Sequence, residues 1–280
     1  MTGQLEQAML AAVERSPEAA AAHDRAGWVA LFATDGCVED PVGSQPHVGP
    51  EQIGRFYDTF IGPRDIAFDR DLDIVRGSSV LRDLDLKVVM GSAVTMTIPA
   101  FLRYDLREVD GEWKVAMLRA YWELPAMMLQ FLRNGASAVP AGVQLSRALL
   151  RNQRLRGTAG FASGFRRVGS RQKALVHSFI NAVGRGDRFT ALQTLSYGAA
   201  ITFGDGEAAE TTDVDELIER YARATAPKLI AAGSTVAASV TSARGRGILF
   251  ADIAMRGNGI HRIRYFPAAS NISEPADKAK

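Results

Sequence analysis

The sequence has little of what would assign it to a specialised class of protein. Cys37 is the only cysteine among 280 residues. An intramolecular disulfide and a cysteine-cluster metal site are therefore excluded, and a reducing cytoplasm is the expected compartment. There is no run of about 18 consecutive apolar residues, so we expect no membrane-spanning helix. The start, MTGQLEQAML, has no basic stretch leading into an apolar run, and we expect no secretory signal.

Metal and cofactor motifs are missing as well. His23, His47, His177 and His261 are the four histidines, and their spacing matches no metal-ligand pattern. No Gly-rich phosphate loop and no nucleophile elbow is found. We therefore predict neither a metal nor a cofactor.

Acidic residues are absent from one long segment. Between Leu124 and Gly186 the chain has no Asp or Glu but ten basic side chains, while the rest carries 23 basic and 31 acidic ones. Within it, AGVQLSRALLRNQRL predicts a helix with Arg147, Arg151 and Arg154 in one stripe, at i, i+4 and i+7. Such a helix either docks against the acidic domains or rests on an anionic membrane as a peripheral contact. Aromatic residues are nearly absent from it, so we expect no nucleic-acid binding.

The sequence pattern of the first 123 residues predicts helices followed by strands. QLEQAMLAAVE, a second segment with Ser16 as N-cap and Pro17 at its first turn, and PEQIGRFYDTF predict helices. IAFDRDLDIV, VLRDLDLKVVM, AVTMTIPAFLRYDL and WKVAMLRAYW predict four strands, with a hairpin turn at Asp110-Gly111. Helices before a run of antiparallel strands predict an α+β domain over residues 1–123.

The same order of elements recurs in the second half of the chain. VDELIERYARA predicts a helix, and STVAASVTSA, GILFADIAM and IHRIRYF predict strands. Arg119 falls on Arg264 when the two halves are aligned. This internal repeat predicts a second domain of the same fold at 171–268, which we expect to be one strand short.

The segment VEDPVG, residues 38–43, is the candidate for chemistry. Strand side chains alternate, so Val38 and Asp40 share one face and Glu39 lies on the other. Because Val38 is apolar, we expect it to face the core, and Asp40 then faces the core as well. Apolar surroundings raise the pKa of a carboxyl group above its reference of about 3.9, into the range of a useful general base. The alternative is that Asp40 caps the turn that follows.

The longer stretch ALFATDGCVEDPVGSQPHVGPEQIGRFY resembles the bacterial ketosteroid isomerases, within the wider SnoaL-like, nuclear transport factor 2-like superfamily. The resemblance covers residues 16–122 in segment order. It implies a cone, in which a curved antiparallel sheet is wrapped by helices around an apolar pocket. It also implies that Asp40 moves a proton between two carbons beside a ketone, a mechanism for which ketosteroid isomerase is itself a standard example.

The family's two oxyanion donors are not matched. Ser16 stands where the family has a tyrosine, and Ala100 where it has an acid. Losing one such donor typically costs about 2.7–4 kcal/mol of transition-state stabilisation. Tyr57 matches a tyrosine that supports the family's donor network, and we predict it as a catalytic partner of Asp40. The alternative is a core tyrosine with a satisfied hydroxyl.

Five further residues are predicted to contact the substrate. Trp122, in AYW, matches an aromatic residue that lines the family's pocket. The other four are Tyr121, His47, Val38 and Ala100. The alternative for the two aromatic residues is sheet packing, and for His47 simple exposure.

The second copy carries Phe203 at the position of Asp40, so we expect it not to catalyse. We predict two tandem cone-shaped domains, the second degenerate, joined by a basic helical linker (124–170) and followed by a disordered tail (269–280). We expect the second domain to cover the first as an internal pseudo-dimer, with self-association as the other possibility.

Two classes of function are open at this point. One is an isomerase, or a related lyase or hydrolase, in which Asp40 is the general base on a hydrophobic carbonyl substrate of steroid- or polyketide-like character. Epoxide hydrolysis would need an additional acid near Asp40. The other is a catalytically silent protein that binds a hydrophobic small molecule.

Overall fold

A computed structural model describes residues 2–90, 94–133, 135, 143, 168–206, 209–254 and 259–268. The predicted arginine stripe at 147–154 and the predicted disordered tail at 269–280 lie outside these residues. Within the described part of the chain, no helix is both long and apolar enough to cross a membrane.

The first domain places its helices on one face of an open, six-stranded sheet. The strand order is β2-β1-β6-β5-β4-β3, with β1 and β6 parallel and the other pairs antiparallel. The four strands predicted after the helices are confirmed as β3 to β6. The elements are α1 (Thr2–Ala21), α2 (Arg25–Ala30), β1 (Phe32–Glu39), β2 (His47–Val48), α3 (Gly49–Phe56) with a π-helical continuation (Tyr57–Ile61), β3 (Asp65–Arg76), β4 (Ser79–Met90), β5 (Val94–Val109), β6 (Glu112–Tyr121) and α4 (Leu124–Arg133).

The first helix runs through the predicted helix start at Ser16, which is therefore not an N-cap. Pro17 lies inside α1. An internal proline removes a hydrogen bond and costs about 3 kcal/mol, but Met9 and Ala20, on either side of it, are both buried in one core. Their burial keeps the two halves of α1 on the same sheet. Ser16 Oγ instead accepts a hydrogen bond from Trp28 Nε1 at 3.2 Å.

The second domain repeats the first with six strands in the order β8-β7-β12-β11-β10-β9. The prediction that this copy is one strand short is wrong, because β9 was not recognised. Pro227 lies within β9, which forms the edge of the sheet, where a strand tolerates a residue without an N–H. The elements are α5 (Ser170–Arg185), α6 (Arg188–Gln193), β7 (Leu195–Phe203), β8 (Glu210–Thr212), α7 (Val214–Arg220), β9 (Thr225–Ala232), β10 (Thr235–Ser242), β11 (Gly245–Ile253) and β12 (Ile260–Pro267).

A hydrogen-bonded group recurs at the same strand positions of both sheets, and it confirms the predicted alignment of Arg119 with Arg264. Asp105 accepts a hydrogen bond from Arg119 Nη1 at 2.7 Å. Asp252 accepts one from Arg264 Nη2 at 2.8 Å. Each carboxylate also accepts a hydrogen bond from the hydroxyl of the first residue of the adjacent strand, β4 or β10. The two domains therefore share structural detail as well as topology.

The outer faces of the two sheets pack against each other with reciprocal contacts. Strand registers make Tyr121 equivalent to Phe266, and Arg103 equivalent to Phe250. The rings of Tyr121 and Phe250 lie 4.7 Å apart, and the guanidinium carbon of Arg103 lies 5.7 Å from the centre of the Phe266 ring. The same pair of equivalent positions therefore makes contact twice, once with each domain supplying each position. This is the pattern of a two-fold symmetric interface.

This interface has an apolar centre and a charged border. Asp205, at the border, accepts hydrogen bonds from Arg103 Nη1 at 2.7 Å and Arg262 Nη2 at 2.6 Å. Burial raises the pKa of Asp205, but the charges and hydrogen bonds of Arg103 and Arg264 outweigh burial and hold it well below its usual value. The apolar centre consists of Val42, Ile74, Leu81, Phe101, Tyr121, Ile230, Ala232, Ala237, Ile248, Phe250 and Phe266.

Candidate functional site

An apolar cavity of about 110 Å³ lies between the helices and the sheet of the first domain. It occupies the gap between two buried clusters, one around Trp28 and one at the far end of β4 and β5. Of the described residues that line it, Asp40 and Arg64 are ionisable. The lining consists of Asp40, Phe56, Phe60, Ile61, Arg64, Ile66, Leu86, Val88, Met90, Met96, Ile98, Trp122 and Met127.

The turn after β1 decides where Asp40 points. Glu39 Oε1 accepts a hydrogen bond from the Gly43 backbone N–H at 2.8 Å, so Glu39 is the residue that closes this turn. Val38 is fully buried on the opposite side of the strand from Glu39. Asp40 follows Val38 onto the inner face and borders the cavity.

Among the described residues, Trp122 is the side chain that holds the carboxyl group of Asp40. Trp122 Nε1 donates a hydrogen bond to Asp40 Oδ1 at 2.5 Å. Burial raises the pKa of Asp40 to about 6, and the hydrogen bond from Trp122 opposes this rise. Such a pKa lies close to neutrality, where a carboxylate is a more effective general base than an ordinary aspartate.

Arg64 borders the cavity at another point, where the π-helical turn joins β3. Its side chain is only 9% exposed. Arg64 Nη1 donates a hydrogen bond to the backbone carbonyl of Thr59 at 2.7 Å. No ion pair between Arg64 and a carboxylate is found within the described residues, Asp40 included. Burial lowers the pKa of Arg64 to about 10, so the group is still charged at neutral pH.

Methionine side chains and helix α4 form the far wall. Met90, Met96 and Met127 come from β4, β5 and α4 and can adjust their shape because the side chain is unbranched. Strand β6 ends at Tyr121, which leaves the start of β5 without a strand partner on that side. Gln130 of α4 takes this place: its Nε2 donates to the Thr97 carbonyl at 2.9 Å, and its Oε1 accepts from the Thr97 N–H at 3.3 Å.

The structure places Asp40 and Trp122 at the cavity, and the predicted catalytic partner Tyr57 elsewhere. Tyr57 is buried beside Trp28, with ring centres 5.6 Å apart. Its hydroxyl has no hydrogen-bond partner within the described residues. Tyr57 is not among the residues that border the cavity, so the structure does not bring it together with Asp40.

The remaining predicted contact residues lie away from the cavity. Tyr121 packs in the interface between the domains, because neighbouring strand residues face opposite sides and Trp122 takes the inner one. Val38 and Ala100 are fully buried in the core. His47 packs against Phe56, with ring centres 5.1 Å apart. Burial together with the charge of Arg55 lowers the pKa of His47 to about 4.

Sequence reasoning missed Arg64 and most of the apolar lining. A lone arginine after Pro63 belongs to no motif, so no pattern in the sequence marks it. The alternation of Leu86, Val88 and Met90 along β4 is a signal from which one inward-facing wall could have been predicted. Which end of that wall stays open depends on where β6 ends, and the sequence does not show this.

The second domain has a much smaller cavity, of about 20 Å³. Strand registers place Phe203 where the first domain has Asp40, and Pro267 where it has Trp122. The rings of Phe203 and Tyr265 lie 6.2 Å apart, and Tyr221 packs edge-on against Tyr265. Aromatic side chains thus pack where the first domain has Asp40, and the shorter β10 (8 residues against 12 in β4) ends before the positions of Val88 and Met90.

A larger cleft, of about 280 Å³, lies between α4 and β9. Its charged groups already have partners: Lys173 Nζ lies 2.8 Å from Glu123, and Lys228 Nζ lies 2.7 Å from Asp83. No group of three or more potential metal ligands occurs within the described residues. The cavity beside Asp40 is therefore the candidate site.

Residues 8–129 match the family model of the Nuclear transport factor 2 (NTF2) domain. This range begins within α1 and ends within α4, and it contains every residue that borders the cavity. The match accounts for the first domain and stops before the second.

Several solved structures are similar to the chain, and the three described next each match less than half of it. The Delta 5-3-ketosteroid isomerase from Mycobacterium sp. is 27% identical, with 42% of this chain and 95% of that chain covered and a TM-score of 0.39. RV0760c from Mycobacterium tuberculosis, in complex with estradiol-17beta-hemisuccinate, is 26% identical, with 41% and 94% covered and a TM-score of 0.38. SalBIII, an epoxide hydrolase/cyclase-like enzyme in pyran ring formation in the polyether salinomycin, is 18% identical, with 43% and 94% covered and a TM-score of 0.39.

Proposed function

Residues 8–129 belong to the nuclear transport factor 2-like superfamily, and on this basis we propose that the cavity binds a small hydrophobic carbonyl compound on which Asp40 transfers a proton. The observation that supports the proposal most is the position of Asp40. It is a carboxyl group at the edge of an apolar cavity, with a pKa of about 6 and a tryptophan N–H as its hydrogen-bond partner.

The proposed step is proton transfer at a carbon next to the carbonyl. The Asp40 carboxylate takes a proton from that carbon and returns it to another carbon of the same molecule, so that a double bond shifts and no atom is gained or lost. Trp122 holds Oδ1, which leaves Oδ2 as the oxygen that accepts the proton. General-base catalysis of this kind contributes about 10²–10⁴-fold in rate.

The size of the cavity limits the ligand. A cavity of about 110 Å³ is comparable with engineered cavities of about 150 Å³ that bind benzene. The unchanged cavity therefore matches a compound of one ring at most. A polycyclic compound requires Met90, Met96 or Met127 to change rotamer.

The alternative is a protein that binds such a compound without turning it over, and the surroundings of Ser16 and Ala100 favour it. Ser16 is buried and bonded to Trp28, and Ala100 has no polar side chain, so neither residue offers a donor to an enolate in the cavity. Tyr57 is not at the cavity either. Arg64 is then the remaining charged donor at the cavity, and without the other donors the chemical step would be slow.

The test is an isomerisation assay on wild type and Asp40→Asn with β,γ-unsaturated ketones of one to four rings, followed by the absorbance of the conjugated product. We expect Asp40→Asn to lower kcat/KM by about 10²–10⁴-fold. In the wild type, kcat/KM should fall below about pH 6, because the base is then protonated. Asp35→Asn removes an exposed carboxylate from the same strand and is the matched control.

Binding is measured in the same series through the fluorescence of Trp122, with Trp122→Phe as the reference for the other tryptophans. Turnover that is unchanged in Asp40→Asn would remove Asp40 from the mechanism. Binding by both proteins with turnover by neither would select the binding protein. No binding of any ketone would end the proposal.

A further inference from the structure

The charge of Arg64 is not balanced by the protein around it. Within the described residues its guanidinium group makes one side-chain hydrogen bond, to the Thr59 carbonyl, and no ion pair. None of its nitrogen atoms is among those sealed inside the protein without a partner. The remaining N–H groups are therefore accessible, and Arg64 is one of the residues that border the cavity.

A buried cation without a counter-ion is unfavourable. Taking a charged group out of water costs several kcal/mol even after the protein relaxes, and proteins normally offset this with an opposite charge. The Thr59 carbonyl, at the end of a helical segment, offsets part of the cost. The other walls of the cavity are aromatic and aliphatic apart from Asp40, which forms no ion pair with Arg64.

A guanidinium group is well suited to one kind of ligand group. Its planar, forked N–H groups match the two oxygen atoms of a carboxylate, and the pair is strongest when it is shielded from water. The side chain is also held in place by the Thr59 carbonyl, so little conformational freedom would be lost on binding.

We propose that Arg64 is a recognition site for an acidic group on the ligand, so that the cavity takes an apolar acid whose carboxylate pairs with Arg64 while its hydrocarbon part fills the space between Phe60, Met96 and Met127. This inference rests on the proposed function for the binding cavity, but not on proton transfer by Asp40. Arg64 acts here in binding and positioning.

A plainer role for Arg64 is that it only caps the helical segment that ends at Ile61. That role accounts for the hydrogen bond to Thr59 but predicts no preference between a charged and an uncharged ligand. The two roles are therefore separated by a comparison of acids with their amides.

The experiment is isothermal titration calorimetry at pH 7.5 of the full chain with benzoate and 2-naphthoate, each compared with its own amide. We expect each acid to bind wild type at least about tenfold more tightly than its amide, as a hydrogen-bonded charge pair would give. Arg64→Met should remove this preference and leave affinity for the amides nearly unchanged. Arg64→Lys should retain part of it.

The matched control is Arg107→Met, which removes the same charge from an exposed residue paired with Asp35. It should leave the preference intact. Amides that bind as well as acids in wild type would overturn the role of Arg64 while leaving the cavity as a binding site. If neither acids nor amides bind, both the role of Arg64 and the proposed function of the cavity as a binding site fail. The comparison within wild type needs no variant, so it holds even if Arg64→Met fails to fold.

Discussion

The two domains arrange six strands in the same order and repeat the same aspartate–arginine pair, but they differ in how the inner space is used. The first has Asp40 and Trp122 beside an open cavity, whereas the second has Phe203 and Pro267 at those positions and is closed by aromatic rings. The aspartate–arginine pair that joins neighbouring strands is present in both domains. The polar groups beside the cavity, Asp40 and Trp122, are present only in the first. The comparison separates residues that support the fold from residues available for a ligand.

The largest expected effect comes from separating the domains. A chain of residues 1–133 would expose the apolar centre of the interface, including Leu81, Phe101 and Tyr121. Exposed apolar patches of this kind promote association. We expect the fragment to self-associate or precipitate, measured by size-exclusion chromatography with light scattering next to the full chain. A stable, soluble monomer would show that the first domain does not depend on the second.

A carboxylate placed in the closed domain should be strongly destabilising. In Phe203→Asp the aromatic contacts with Tyr221 and Tyr265 are lost. A carboxylate is also buried, and the nearest cation, Arg220, already donates a hydrogen bond to Glu216. We expect a loss of about 3–5 kcal/mol in the free energy of unfolding, measured by urea denaturation. Phe203→Leu, which adds no charge, should lose clearly less. If the two variants were equally stable, the second interior would tolerate a charge and the contrast between the domains would be weaker than described.

The carboxylate of the open domain should make stability depend on pH. The pKa of Asp40 is raised from 3.8 to about 6, so the folded protein binds this proton more tightly than the unfolded chain does. Stability from this group is therefore highest at low pH and declines as the pH rises from about 4 to about 6. Between pH 5 and 7 wild type should lose about 1 kcal/mol relative to Asp40→Asn. Parallel denaturation curves for the two proteins at both pH values would contradict the raised pKa.

Much of the fold could be predicted because its signals are local. Strands β3 to β6 follow from alternating or continuous apolar runs between clear turns, and the repeat follows from their return later in the chain. Strand β9 was missed because Pro227 argues against a strand unless that strand is known to lie at an edge. Whether a strand lies at the edge depends on the order of all strands in the sheet, which the local sequence does not show.

The site was less predictable, because the position of several of its residues also depends on the whole fold and not on local sequence. Asp40 could be assigned to the inner face from its neighbour Val38, and Trp122 from a family motif. The sequence analysis predicts Tyr121 at the pocket, but Tyr121 is adjacent to Trp122 on a strand, where only one of two neighbours can face inward. The face that Tyr121 occupies is covered by the second domain, whose placement no local pattern shows. Arg64 lies in a turn, and its burial depends on elements that are distant in the sequence.

The reciprocal contacts between Tyr121 and Phe250 and between Arg103 and Phe266 join two halves of one polypeptide. In an assembly of identical subunits, any substitution appears twice, so both sites must gain or lose a side chain together. When the two halves belong to one polypeptide, a substitution can occur in one half alone. The second half can therefore have Phe203 at the position where the first half has Asp40. A titration of this protein should therefore saturate at one ligand per chain, along a simple hyperbola.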